Sequence, residues 1–440
     1  MVSYQLIILY SAVALSIITG VLVAVRREDY AWIPAIILLM PDLIISPGYL
    51  VYPVLIDLTA ISNILALKVM GSRIRGFDYA ILSFIGLITA YVMYVPYESS
   101  SIGITAYFGS MIGLFAIVSA SMYFIIQAGS TVSDYEAAVK AIVALVIATV
   151  LFFVGSTILL LAYLASLKTP SLYMVGYLIA LLGLMLEVGA APMHIWVPDA
   201  LTALNPIVAS IVASISKIMP FIAFVKLTYP IMEAMGPQAL NYAYWLTGVM
   251  AMLSMFIGNI GALTARENAR VLAYSSIANM GYVLAALAAV FNSTTEAALA
   301  YAIAGLITQL IVNASGKVGL FTAISNNNRG GAYSYILAFS FIGVPPLLGF
   351  WSKLFIVLSL ALTGPLGIWL AIILVVNSVI SVPYYVRLSR ELSLKGIGGY
   401  TLATILLTTL IMLTGVVIVI PAAIVEYSHL AVGLVKIPLS

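Results

Sequence analysis

Apolar runs of about twenty residues follow one another along nearly the whole chain, each long enough to cross the roughly 30 Å hydrocarbon core of a bilayer. They predict fourteen helices, near 4–25, 31–47, 50–70, 79–96, 103–127, 136–166, 171–190, 206–228, 243–264, 270–291, 298–324, 333–362, 366–388 and 399–422. The second is short. The sixth and twelfth exceed one span, so they are expected to tilt, run past the membrane or break. The expected fold class is therefore all-α: a polytopic membrane protein of about fourteen transmembrane helices.

The polar interruptions of this pattern carry the information. Glu187 sits inside the seventh run, which then breaks at Gly189 and Pro192, crosses a polar patch from His194 to Asp199, and gives way to an eighth run carrying Lys217. A charge at membrane depth costs about 2.5–3.5 kcal/mol even on the lenient insertion scale. An acid and a base kept there, flanking a broken helix, point to use. Lys317 and Lys353 also fall inside apolar runs, and Gln309, Asn313 and Lys317 follow one another at the four-residue spacing of one helix face.

A weak internal repeat adds to this. Gly189-Ala-Ala-Pro192 leads to Trp196, and Gly343-Val-Pro-Pro346 leads to Trp351, each with a charge close by (Glu187, Lys353). Paired Gly/Pro-interrupted helices mark inverted-repeat transporters, and irregular backbone at that depth must face protein or water. The expected organisation is N-terminal helices over 1–78, a first five-helix unit over 79–228, an inverted second unit over 243–388, and a last helix and tail over 399–440.

Composition then narrows the class. With 64% hydrophobic and 8% charged residues and a mean hydropathy of +1.18, little of the chain lies outside the bilayer. The absence of Cys excludes thiolate iron–sulfur ligation and disulfides, and two histidines are too few for a metal-rich redox protein. No nucleotide-, flavin- or metal-binding motif appears, so no cofactor, metal site or nucleic-acid partner is expected. No Lys or Arg precedes the first run, so Tyr4–Val25 reads as a retained helix. Arg26, Arg27, Lys68, Arg73, Arg75, Lys140, Arg266, Arg270, Arg329, Arg387, Arg390 and Lys395 follow odd-numbered helices; Lys168, Lys226 and Lys436 lie on the opposite side. The odd side is thus expected to be cytoplasmic and both termini outside, in a prokaryotic plasma membrane.

Several segments together resemble a family. Pro192-Met-His-Ile-Trp-Val-Pro-Asp199, Ala273-Tyr-Ser-Ser-Ile277 with Gly281-Tyr282, Val344-Pro-Pro-Leu-Leu-Gly-Phe-Trp-Ser-Lys353 and Tyr135-Glu-Ala-Ala-Val-Lys140 are similar to segments of the antiporter-like subunits of respiratory complex I. Mrp-type antiporters and membrane-bound hydrogenases share that fold. The resemblance runs from about 50 to 390, in order, and is nearest to the N-type subunit: Lys353 matches its twelfth-helix lysine, and Asn377-Ser-Val-Ile-Ser381 with Tyr384-Tyr385 also looks N-like. The Gln309/Asn313/Lys317 stripe resembles the His-x3-His-x3-Lys stripe of the L-type and Mrp subunits. Asp57 matches the family's third-helix aspartate near the surface and reads as structural.

The resemblance implies a proton path through Lys217, Glu187, Lys317 and Lys353, with His194, Gln309 and Asn313 as secondary groups. It implies other membrane subunits of a respiratory or hydrogenase-type complex as partners, with protons, or sodium, as the transported ion and electron transfer in other chains. Two departures stand out. Ala116 occupies the place of the family's fifth-helix glutamate, and Glu187 replaces the seventh-helix lysine. Glu187 is accordingly expected to approach Lys217 directly or through water. Burial favours the neutral amine and a nearby carboxylate the ammonium, so a lysine between these influences gains and loses a proton. The alternatives are a static Glu187–Lys217 pair, a snorkelling Lys353, a His194 that caps the break, and helix–helix glue at Lys317. At the level of function they are a non-pumping scaffold of the same complex and a cation/proton antiporter subunit.

Overall fold

A computed structural model describes residues 2–25, 27–40, 51–71, 74–94, 101–129, 134–165 and 170–418. Arg26, Arg73, Lys168 and Lys436, the expected second helix beyond 40 and the expected last helix beyond 418 lie outside the described residues. Among those described, ten helices are long and apolar enough to cross a membrane, and the regular structure is helical apart from one isolated bridge between Arg329 and Ser393.

The first helices are α1 (Val2–Ala24), α2 (Trp32–Ile37), α3 (Val51–Val69), α4 (Gly76–Tyr94), α5 (Ser101–Gly129) and α6 (Tyr135–Leu164). The seventh run divides, as its Gly and Pro predict: α7 (Pro170–Val188) ends, and α8 (Trp196–Ala203) resumes after the break. The eighth run also divides, into α9 (Pro206–Val212), a 3-10 turn (Ile215–Lys217) and α10 (Ile218–Met235). This corrects the single helix expected over 206–228. Lys226, near the end of that expected helix, lies inside α10, where it is buried and donates to the Met93 carbonyl at 2.9 Å. Next come α11 (Pro237–Thr264), α12 (Asn268–Phe291) and α13 (Glu296–Ser325). α11 starts six residues before the expected 243, because Pro237 at its first turn lacks an N–H that would go unpaired there. The twelfth run breaks as expected, into α14 (Tyr333–Ile342) and α15 (Leu348–Ala361); α16 (Pro365–Glu391), α17 (Gly399–Leu413) and α18 (Gly415–Ile418) complete the described chain.

The two expected breaks share a local design. Gly189 (φ +69°) and Gly343 (φ +94°) turn the chain in the left-handed region that a side chain disfavours. The next N–H in each reaches back five residues, Ala190 to the Met185 carbonyl at 2.8 Å and Val344 to the Phe339 carbonyl at 3.0 Å. This is the Schellman closure of a helix C-terminus. It leaves the last carbonyls of α7 and α14 free to accept from elsewhere.

α12 and α13 are buried on nearly every face and form the centre, with α3, α9, α15 and α17 also packed against α13. Small residues allow the close approach: Gly258 of α11 lies against the backbone of Ala278 in α12. α6, α11 and α16 present the outer faces, with stripes such as Val143, Ile147, Val150 and Val154, or Trp245, Val249, Phe256 and Ile260, exposed at helical spacing. Asp57, read as near the surface, is fully buried on α3, facing Gly86 of α4.

Candidate functional site

Each buried lysine solves the same problem: an ammonium needs acceptors, and the interior offers few. Lys217 is 2% exposed. Its Nζ donates to the Val188 carbonyl, the last of α7, at 2.7 Å and to Ser276 Oγ of α12 at 2.9 Å. Lys353 donates to the Phe341 and Ile342 carbonyls, the last of α14, at 2.8 and 2.9 Å, and its Nζ stands 4.8 Å from the centre of the Tyr282 ring. Thus Lys217 and Lys353 each cap the C-terminal end of a broken helix, where the freed carbonyls and the helix dipole favour a cation. Lys317 donates to the Leu272 carbonyl at 2.7 Å and makes a short bond to Ser275 Oγ; its Nζ lies 5.1 Å from the centre of the Phe341 ring.

A direct Glu187–Lys217 contact is not among the ion pairs of the described residues. Glu187, 5% exposed, accepts from Ser119 Oγ of α5 at 3.0 Å, and Thr149 of α6 donates to Ser119 at 3.0 Å. Glu187 precedes Val188 on the helix end, so the carbonyl of the next residue meets Lys217 while the carboxylate points to α5. The two groups are neighbours through the backbone of α7 and form no ion pair with each other.

Two adjacent serines join the lysines. Ser276 receives Lys217 and Ser275 receives Lys317, from different sides of α12. From there the line continues: Asn279 Nδ2 donates to the Ser275 carbonyl at 2.7 Å, Gln309 Nε2 to Asn279 Oδ1 at 2.7 Å, and Ser352 Oγ to Gln309 Oε1 at 2.5 Å. Ser352 precedes Lys353. Asn313 leaves this line and donates to the Ala213 carbonyl at 3.0 Å, in the break of the eighth run that Asn63 also holds through Ser214 at 3.0 Å. His194 stands half-buried in the first break, and none of the lysines nor Glu187 is bonded to it among the described residues. Trp196 Nε1 takes the Leu186 carbonyl at 3.0 Å, so the indole covers the break.

The polar line thus contains Lys217, Lys317, Lys353 and Gln309 from the sequence reading, and omits His194 and Asn313. It adds Ser275, Ser276, Asn279 and Ser352. Ser275 and Ser276 lay within a segment singled out for its resemblance, but nothing in the pattern gave them a role. Their place on one turn of a fully buried helix is what shows it.

Residues 104–381 match the family described as NADH:quinone oxidoreductase/Mrp antiporter, TM. The chain belongs to this family. It is accordingly an integral membrane protein. Among curated relatives, the NADH-quinone oxidoreductase subunit N of Rubrobacter xylanophilus is 33% identical over 269 residues, covering 55% of this chain and 55% of that protein. The chain spans about half the length of the curated relatives it matches. Among solved structures, a chain of Thermus thermophilus respiratory complex I with bound aureothin superposes with a TM-score of 0.70 at 20% identity, over 95% of this chain and 98% of that one. A chain of the Mrp complex from Dietzia does so with a TM-score of 0.73 at 17% identity, over 100% and 98%. At those identities the likeness carries the family's fold, with the antiporter-like helical bundle and both broken helices built from residues of this chain.

Proposed function

We propose that this chain is an antiporter-like membrane subunit of a respiratory, quinone-oxidoreductase-type complex, and that it moves protons along the line from Lys217 through Lys317 to Lys353. One observation carries this reading. Three buried ammoniums are held by backbone carbonyls and hydroxyls, with no carboxylate bonded to any of them among the described residues, along a polar line whose hydrogen-bonded stretches meet at the neighbouring residues Ser275 and Ser276 and at Ser352 and Lys353. An ammonium locked to a carboxylate has little reason to give up its proton; one held by neutral acceptors at membrane depth is ready to. Relay requires partners within hydrogen-bond reach at each step, and the serines and amides of α12, α13 and α15 supply most of them.

Glu187 acts as the entry acid in place of the fifth-helix glutamate, with Ser119 and Thr149 of α5 and α6 as its donors. Electron transfer and its cofactors belong to partner subunits, in keeping with relatives drawn from multisubunit membrane assemblies. The face bearing Arg266, Arg270, Arg329 and Arg387 is the cytoplasmic one. Asp199 and Arg270 approach to 3.6 Å across it, which agrees with both lying on one side.

A second reading, a scaffold that moves no protons, draws on Ala116 and on the missing Glu187–Lys217 contact. Proton uptake by the whole complex in vesicles, at equal complex yield, decides between them. Glu187→Gln and Lys217→Ala should both lower uptake per turnover. Unchanged uptake in both would leave the scaffold.

A further inference from the structure

Phe341 touches two of the buried ammoniums. Its ring centre lies 5.1 Å from Lys317 Nζ, and its carbonyl accepts from Lys353 Nζ at 2.8 Å. The residue is 1% exposed and stands at the end of α14, immediately before the Ile342–Gly343 turn. Its ring is stacked on Tyr385 of α16 at 5.1 Å with only 5° between the planes, and it packs on Gly316 of α13, where a Cβ would collide with it. The break behind it is equally close: Ser340 accepts from the Gly349 N–H at 3.1 Å, tying α14 to α15.

We propose that Phe341 is the positioning residue through which the charge on Lys317 sets the hold on Lys353. The attraction between an ammonium and a ring face exists only while the amine is protonated. With Lys317 charged, the ring is held between Lys317, Gly316 and Tyr385, and the carbonyl of the same residue is held toward Lys353. Loss of the Lys317 proton removes that attraction, frees the ring and loosens the carbonyl that binds Lys353. The lysines then lose their protons in sequence. This rests on the reading of the two lysines as titrating groups given above.

The surroundings leave few competing charges. Facing the two ammoniums are the phenols of Tyr282 from α12 and of Tyr384 and Tyr385 from α16, and Lys217 beyond Ser276. α9 carries no titratable side chain, α17 meets α13 through Thr408 at Gly319, and Asp57 of α3 faces α4.

The sign of one effect separates this coupling from plain repulsion. Through space, removing the positive charge of Lys317 would stabilise the Lys353 ammonium and slow reactions of its neutral amine. Through Phe341, the same removal weakens the hold on that ammonium and speeds them. Lys353 lines a groove of about 350 Å³ between α15 and α16, open to an apolar reagent. The assay is acylation of Lys353 in the intact complex by acetic anhydride, followed by mass spectrometry at fixed pH.

Lys317→Met should raise the Lys353 rate at least threefold. In a Phe341→Leu background, which keeps the carbonyl and loses the ring, it should leave the rate unchanged or lower it. Phe341→Trp, which keeps a ring, should restore the increase. Gly316→Ala displaces the ring without altering Phe341 and serves where Phe341→Leu assembles poorly; it too should abolish the increase. A lower Lys353 rate in Lys317→Met with Phe341 intact, or an increase that survives in both Phe341→Leu and Gly316→Ala, overturns the proposal. The readout is amine reactivity, so a chain that moves no protons gives the same answer, and vesicle uptake reports separately on transport.

Discussion

The lysines were legible because a charge inside an apolar run has no neutral explanation, and the cost of burying it asks for a partner. What the sequence could not supply was the partner. Glu187 is the acid inside the apolar run that precedes the run of Lys217, yet the ammonium takes the carbonyl of Val188, one residue on, and the carboxylate turns to Ser119. Spacing along a helix gives proximity, not the direction of a side chain or the presence of a freed carbonyl. Ser276 was equally hidden, since a serine in an apolar helix usually bonds its own backbone. Its role gives an expected outcome. Ser276→Ala leaves Lys217 with one acceptor and should cost about 1–3 kcal/mol of stability, the range for a buried donor losing a partner. It should also lower proton uptake well below that of Ser293→Ala, whose hydroxyl bonds the Ala289 carbonyl within the α12 C-terminal region. Equal uptake in the two variants at matched yield would remove Ser276 from the path.

At the scale of elements, the two breaks announced themselves through Gly and Pro, and the third did not. The stretch Val212-Ala-Ser-Ile-Ser-Lys217 contains neither residue, but its helix opens at Ala213 and Ser214 because Asn313 and Asn63 bind the backbone carbonyl and the hydroxyl exposed there. Such a break is made by neighbours on α13 and α3, which a single helix's pattern does not contain. The Gly breaks lend themselves to a controlled comparison. Gly343 and Gly236 both hold positive φ, +94° and +99°, so alanine at either should cost about 1–2 kcal/mol from backbone strain alone. They differ in what a methyl group meets: nothing within 4 Å at Gly236, but Lys353 Cδ at 3.2 Å at Gly343. Gly236→Ala and Gly343→Ala should therefore lower the thermal midpoint of the purified complex by similar amounts, while only Gly343→Ala lowers proton uptake per turnover. Equal uptake in both would mean that the grip on Lys353 does not depend on the shape of this break.

For the whole molecule, the helical class and membrane setting followed from the spacing of apolar runs, and the gathering of Lys and Arg after odd-numbered helices gave the expected orientation. Contacts between distant segments agree with that assignment where they are described. Asp199 meets Arg270, and Arg387 donates to the Ala265 carbonyl at 2.6 Å, next to Arg266, so Arg270 and Arg387, both assigned to the odd side, make their contacts at one end of the bundle. Lys226 meets the Met93 carbonyl at the other end. The polar line between these ends has a direction only if the cytoplasmic end is known. The sequence contains no cysteine, which makes a single introduced thiol an unambiguous reporter. The two ends of α13 suit this test, because the helix is apolar, 30 residues long and flanked by exposed positions at Thr294 and Asn327. Thirty residues at 1.5 Å each span about 45 Å, enough to place the two thiols in opposite aqueous phases. A membrane-impermeant maleimide added to intact cells should label Thr294→Cys at once and Asn327→Cys only after permeabilisation, since positive charge accumulates beside Asn327 at Arg329 and across the same face at Arg266 and Arg270. The reverse order would turn the molecule over; labelling of both in intact cells would deny that α13 crosses the membrane.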